Sequence, residues 1–207
     1  MIPKIIHYCW FSYPPDVLAC FESWKKFLPD YEIKLWNAKN FDVSICPYVQ
    51  EAYNERKFAF ASDYVRLYVL YKYGGIYLDS DIEVLKSFDS ILDNKAFTGF
   101  EAPRHIAAWI FGSEAGNPIF KEFLDYYNDR HFIIARGVYD MTPNPVPITN
   151  TLVKHGLKLN NELQHLENIT VYPTDYFAPF NPYRGGGLLY LQHFSQSSLQ
   201  RLMEKNF

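Results

Sequence analysis

Cysteine is scarce in this chain. Cys9, Cys20 and Cys46 are the whole set, an odd number with no close pairing. That argues against a disulfide framework or a zinc knuckle and fits a reducing compartment. Long apolar runs are missing too, since none approaches the ~20 residues of a membrane-spanning helix. Met1 leads straight into Ile2-Pro-Lys-Ile-Ile-His-Tyr-Cys-Trp10, which lacks the layout of a signal peptide. Basic excess is absent: 20 Lys and Arg stand against 23 Asp and Glu, a formal charge of -3. Nucleic-acid binding needs clustered cations, so it is not expected. Internal repeats and low-complexity tracts are also lacking. Together these absences predict a cytoplasmic protein whose membrane contact, if any, is peripheral and at the inner face.

What is present describes a packed domain. A length of 207 residues suits one domain, residues 1–207, that buries roughly 70% of its unfolded surface. The 17 Tyr and 17 Phe serve mainly as core. Lys4 to Phe11 reads as a buried first strand, stopped by Pro14-Pro15. Asp16 is placed to cap a helix through Phe27, and Glu32 to Trp36 alternates as a second strand. Glu51 to Tyr73 reads as the longest helix, closed by Gly74-Gly75. Short strands follow at Ile76–Leu78, Ala96–Phe100, Ala107–Gly112, Ile169–Tyr172 and Leu188–His193. Helices are predicted at Asn117–Arg130 and Thr149–His155. Thr142 to Pro147 and Gly185–Gly187 read as mobile loops. Strands alternating with helices predict an α/β fold.

The chemistry concentrates between residues 61 and 81. Asp79-Ser80-Asp81 ends the apolar run Ile76-Tyr-Leu78, and Glu83 adds negative charge nearby. Paired carboxylates at a strand end suit a hard divalent cation, commonly one shared with substrate phosphates. Without a cation they repel. Upstream, Asp63 and Arg66 are the acid and base of an otherwise almost wholly apolar helix. Three residues apart, they share nearly one face. They form either a structural buried ion pair or a polar pair aimed into a cleft, and the Gly-Gly turn returns the chain to that same edge.

Phe60-Ala-Ser-Asp-Tyr-Val-Arg66 with Tyr73-Gly-Gly-Ile-Tyr-Leu-Asp-Ser-Asp81 resembles the DXD region of family 32 glycosyltransferases. That family includes bacterial capsule and polysaccharide sugar transferases and fungal mannosyltransferases, and it is related to the glucosylating domains of large clostridial toxins. Ile2–Phe11, Ser23-Trp24, Pro29-Asp-Tyr31 and Trp36-Asn37 extend the likeness, which is thin from Glu101 to Thr170. The resemblance implies a GT-A fold, a Rossmann-like domain with a mixed central sheet. It also implies retaining transfer of a hexose from a nucleotide-diphosphate sugar, UDP favoured, with Mn²⁺ or Mg²⁺. By position, Trp10 would flank the base. Ser62, Asp63 and Arg66 would hold the donor sugar and phosphates, and Tyr77 would contact the diphosphate. Asp79 would hold sugar or ribose hydroxyls and approach the metal, with Ser80 beside it, and Asp81 would ligate it. The catalytic set would be Asp63, Arg66 and Asp79.

Gln192-His-Phe-Ser-Gln-Ser197 resembles the family's late His-aromatic-x-x-Ser-Trp element, with Ser198 where the family has Trp. It makes His193 a third metal ligand. Tyr176-Phe-Ala-Pro179 is expected to shape the cleft. The implied acceptor is a glycan or lipid-linked glycan, as in bacterial capsule synthesis. A homodimer or a partner would complete the acceptor side of so compact a chain. Two rival readings stand beside this one. An Asp-x-Asp phosphohydrolase is disfavoured because Glu83 stands where such enzymes carry Thr or Val. A non-catalytic sugar-nucleotide module is disfavoured by the intact Asp63, Arg66, Asp79 and Asp81.

Overall fold

A computed structural model describes residues 1–11, 18–177 and 191–193, with backbone alone at 18, 19 and 191–193. β1 (Ile5–Cys9) leads to α1 (Leu18–Phe27), β2 (Glu32–Trp36), α2 (Pro47–Asn54) and α3 (Phe58–Tyr73). Then come β3 (Gly75–Leu78), β4 (Ile82–Val84), β5 (Ala96–Ala102), β6 (His105–Ile106), β7 (Ile110–Ser113) and α4 (Pro118–Asp125). The remainder is β8 (Ile133–Ala135), β9 (Val138–Tyr139), α5 (Pro145–Lys154), β10 (Gln164–His165), β11 (Thr170–Tyr172), α6 (Thr174–Phe177) and β12 (Leu191–His193).

The main sheet runs β10-β11-β5-β7-β3-β1-β2, with β6 paired to β5. β1 lies between β2 and β3, parallel to both, with Ile6 opposite Ile33 on one side and Ile76 on the other. β7 is antiparallel to both β3 and β5, so the sheet is mixed, as the family resemblance implies. The chain leaves β1 toward β2 and returns on the far side as β3. That reversal makes a switch point between β1 and β3, where α/β sheets bind ligands at the strands' carboxyl ends. Trp10 and Asp79 follow directly from those two ends.

The pleat sorts side chains between two cores. Ile76 and Leu78 pack with Trp24, Leu28 and Phe97, whereas Tyr77 packs with Val65, Leu70 and Phe111 beneath α3. Period-two alternation therefore carries Tyr77 and Asp79 to the α3 side of β3. The turn that starts β3 requires glycine. Gly74 and Gly75 have φ of 66° and 101°. A Cβ on Gly75 would lie 2.7 Å from the Ile5 carbonyl oxygen and 2.9 Å from His7 Nε2.

His7 locks the same turn from below. It has no exposed surface. Its Nε2–H donates to the Gly74 carbonyl (2.8 Å), and its Nδ1 accepts from the Trp36 indole N–H (2.9 Å). Because an indole only donates, the ring is the neutral Nε2–H tautomer. Burial accordingly pushes its pKa down to about 4.

Several boundaries differ from the sequence reading. The helix expected over Glu51–Tyr73 is two helices. Arg56 turns the chain with φ of 55°, and the Lys57 N–H closes α2 on the Ala52 carbonyl. No glycine or proline marks that break. The expected loop at Thr142–Pro147 instead opens α5, with proline at its start, where a missing N–H costs nothing. The helix expected to reach Arg130 ends at Asp125. β7 begins at Ile110 rather than Ala107. Asp16 and Gly185–Gly187 lie outside the described residues.

Candidate active site

Five of the sequence-predicted residues meet beside the switch point. Arg66 projects from α3 over the Tyr77 ring, its guanidinium carbon 4.9 Å from the ring centroid. It is only 6% exposed. Its Nη2 lies 3.2 Å from Asp63 Oδ1 and 3.5 Å from Asp79 Oδ1. Nη1 donates to the Ala108 carbonyl at 2.5 Å, and Nη2 lies 3.3 Å from Ser62 Oγ. Asp79 Oδ1 also accepts the Tyr77 hydroxyl at 2.8 Å. One buried cation thus organises two carboxylates from separate elements.

This sharing has an electrostatic consequence. Burial opposes the Arg66 charge, but Asp79, Tyr77 and Asp63 outweigh it and raise its pKa. Arg66 stays protonated. Asp63 goes the other way from an ordinary ion-paired carboxylate. Burial raises its pKa to about 6, Arg66 opposes that rise, and the Asp79 charge adds to it. Two carboxylates competing for one guanidinium leave one underpaired, which raises its pKa.

Tyr77 is 1% exposed. It lies beneath Arg66 and supports Asp79 through its hydroxyl. Asp79 has 31% of its side chain exposed. A tight turn follows it, closed by the Ile82 N–H on the Asp79 carbonyl at 3.2 Å. Ser80 within this turn is buried, and Asp81 is half-buried. The strand after the turn is pinned by α1: the Trp24 indole donates to the Ile82 carbonyl (2.7 Å), and Ser23 Oγ accepts the Val84 N–H (2.9 Å). This accounts for the Ser23-Trp24 pair picked out in the sequence.

Trp10 is half-buried just past the end of β1, its backbone N–H donating to the Trp36 carbonyl at 2.9 Å. The neighbouring Cys9 thiol is pushed up to about 12 by burial, which removes it as a nucleophile at neutral pH. β12 pairs antiparallel with β4 and sets His193 opposite Ile82, one residue beyond Asp81. Its side chain, and Ser197 with Ser198, lie outside the described residues. Of the Tyr176–Pro179 segment expected to shape the cleft, Phe177 is a core residue with no exposed surface, stacked on Phe97, and Ala178 and Pro179 lie outside the described residues. Gly99 makes room for Phe177, since a Cβ there would lie 2.6 Å from its ring.

Asn144 was not singled out in the sequence. It is 1% exposed, and its Nδ2 donates to the Asp63 carbonyl at 2.9 Å while its Oδ1 accepts the Tyr127 hydroxyl at 2.9 Å. Its backbone N–H also favours the ionised Asp63 carboxylate. The one local signal is the Asn144-Pro145 pair, a helix-start pattern.

The donor set fits a cation that is also held by phosphate. Magnesium-type ions take one or two carboxylates and complete their shell with water and substrate oxygens, and Asp79 and Asp81 supply that number. Among the described residues, no three His, Cys, Asp or Glu side chains cluster in metal-holding geometry.

Residues 14–98 match the family model described as "Glycosyltransferase sugar-binding region containing DXD motif". Among curated proteins, inositol phosphoceramide mannosyltransferase 3 of Schizosaccharomyces pombe is 32% identical over 123 residues, 56% of this chain and 35% of that protein. Inositol phosphoceramide mannosyltransferase 2 of the same yeast is 30% identical over 179 residues, 83% of this chain and 52% of that protein. The chain therefore spans a third to a half of the length of these relatives. Among solved structures, the PaToxG glycosyltransferase superposes with a TM-score of 0.53 at 18% identity, covering 74% of this chain and 68% of the other. Residues 14–98 are thus similar to a DXD-containing glycosyltransferase sugar-binding region, and the α/β fold that carries them is of the GT-A type.

Proposed function

We propose that this protein transfers a hexose from a nucleotide-diphosphate sugar to a lipid-linked acceptor. The observation that carries the reading is the Ser62–Asp63–Arg66–Tyr77–Asp79 cluster at the carboxyl end of β3. The half-exposed Trp10 stands across the switch point to flank a base. Asp63 and Arg66 hold donor sugar hydroxyls and phosphate oxygens, and Asp79, oriented by Tyr77, faces the sugar. Asp79 and Asp81, with His193, would hold Mn²⁺ or Mg²⁺. The ion, when bound, acts as a Lewis acid that favours departure of the nucleoside diphosphate. Arg66, held cationic by its carboxylates, adds fixed positive charge at the same place without reorganisation. We expect retention of anomeric configuration. The names of the yeast relatives support an inositol-phosphate sphingolipid or similar lipid as acceptor class, in preference to a bacterial capsule glycan.

The test is a panel of UDP- and GDP-sugars. Each is scored for Mn²⁺-dependent thermal stabilisation and slow donor hydrolysis, with wild type beside Asp81→Ala. A ligand that binds only the native state must raise its apparent stability. One donor should stabilise the wild type, the effect should vanish with chelator, and Asp81→Ala should lose turnover while keeping its melting temperature without ligand. Full activity in excess chelator, or turnover of an aryl phosphate in place of every sugar nucleotide, would refute the reading.

A further inference from the structure

The β8–β9 hairpin is a surface feature whose chemistry the site does not absorb. Ile133, Ile134 and Val138 are 37%, 65% and 51% exposed, and Met141 and Val146 just beyond are also exposed. Gly137, with φ of 74°, makes the turn, and Arg136 stands at its tip. Soluble surfaces scatter such residues singly, so a run of this kind on one projection calls for a partner.

The hairpin is rigidly mounted. Glu51 on α2 accepts from His131 Nδ1 (2.6 Å) and from the Ile133 N–H (2.9 Å), and Glu55 accepts the Tyr139 hydroxyl (2.5 Å). Asp140 is ion-paired with Arg130. Phe132 at the root is fully buried against Tyr48 and Phe60. The nearby carboxylates are thus consumed at the base. The tip carries apolar side chains and an arginine that makes no ion pair among the described residues. The root also adjoins the active site: Phe60 lies one helical turn before Asp63, and Asn144, just past the hairpin, holds the Asp63 carbonyl.

We propose that this hairpin inserts its tip into the headgroup and acyl boundary of an anionic membrane, so that the cleft faces lipid-linked acceptor at the bilayer surface. The proposal rests on the lipid-acceptor reading above. Three features favour a bilayer as occupant over a protein. The exposed Ile134 and Val138 flank the Arg136-Gly137 turn at the end of the hairpin. Five exposed apolar side chains fall well short of the roughly 20–30 residues that each side of a stable protein interface uses. The tip charge is positive, which complements anionic headgroups. No helix among the described residues is long and apolar enough to cross a membrane, so a surface wedge of this kind would supply contact without a span.

The experiment is co-flotation with phosphatidylcholine vesicles, with and without phosphatidylglycerol, using the full chain. The wild type should bind the anionic vesicles. Ile134→Ser with Val138→Ser should bind at least about tenfold more weakly, as expected for losing two inserted aliphatic side chains. Arg136→Gln should bind about fivefold more weakly, and only to the anionic vesicles. Donor hydrolysis in solution should be unchanged in all variants, because these exposed side chains touch neither Asp63 nor Asp79. Absence of vesicle binding by the wild type, undiminished binding by the double variant, or a change of oligomeric state in its place would overturn the proposal. Equal wild-type binding to both vesicle types would also overturn it. Loss of the underlying reading looks different: no sugar nucleotide would be hydrolysed by the wild type, whatever the vesicles show.

Discussion

Replacing Asp63 with asparagine separates function from fold in one substitution. The side chain is nearly isosteric but cannot ionise. Burial raises the Asp63 pKa from its ordinary 3.8 to about 6. That displacement corresponds to about 3 kcal/mol by which the charged form is disfavoured in the native state. A raised folded pKa contributes stability that is complete below pH 3.8 and lost as pH rises through about 6. At pH 7.5 the wild type has lost all of it. Arg66 keeps Asp79 as a partner 3.5 Å away when Asp63 is neutralised. Asp63→Asn should therefore be between equal to wild type and about 3 kcal/mol more stable at pH 7.5. Its kcat/KM should fall by about a hundredfold or more, the scale of losing one positioned electrostatic contact. Urea unfolding with chelator present gives the first quantity, and donor turnover with Mn²⁺ the second. The opposite pattern would refute the reasoning: a loss of about 3–5 kcal/mol, as when a buried ion pair is broken, with full specific activity in the folded fraction. Asp63 and Arg66 would then be a structural pair.

Two further predictions concern the turn that sets β3. His7 is held neutral with a pKa of about 4 against an ordinary 6.5, so its contribution is present above pH 6.5 and lost as pH falls toward 4, by about 3 kcal/mol. That trend opposes the one from Asp63 over nearly the same window. Wild-type stability should be comparatively flat from pH 4 to 6, whereas Asp63→Asn should lose stability steeply on acidification. Parallel urea-derived profiles for the two proteins would contradict this account. Gly75→Ala places a Cβ 2.7 Å from the Ile5 carbonyl at a φ of 101°. It should cost about 2–4 kcal/mol and lower Tm by roughly 5–12 °C by differential scanning fluorimetry; an unchanged Tm would show that the turn relaxes freely.

Much of the site is legible in the residues because it is local. β2 begins and ends where its alternation does, at Glu32 and Trp36. Asp63 and Arg66 share a face because a helix turns every 3.6 residues, and the ion pair between them follows. The carboxylates at the end of β3 stand out because an apolar strand stops there. Even the facing of Tyr77 and Asp79 to one side obeys the period of two.

Tertiary structure decided the rest. The break at Arg56 depends on how α2 and α3 pack, and nothing in the local pattern announces it. The burial of Tyr77 depended on Arg66 covering its ring. That Asn144 holds Asp63 across 81 residues, and that Arg66 is shared with Asp79 and so leaves Asp63 underpaired, required three separate elements to be docked. Periodicity is a property of each segment's own backbone, so it can be read along the chain. The charge state of a buried carboxylate is a property of everything around it, and distant segments meet only when both core layers close on the sheet.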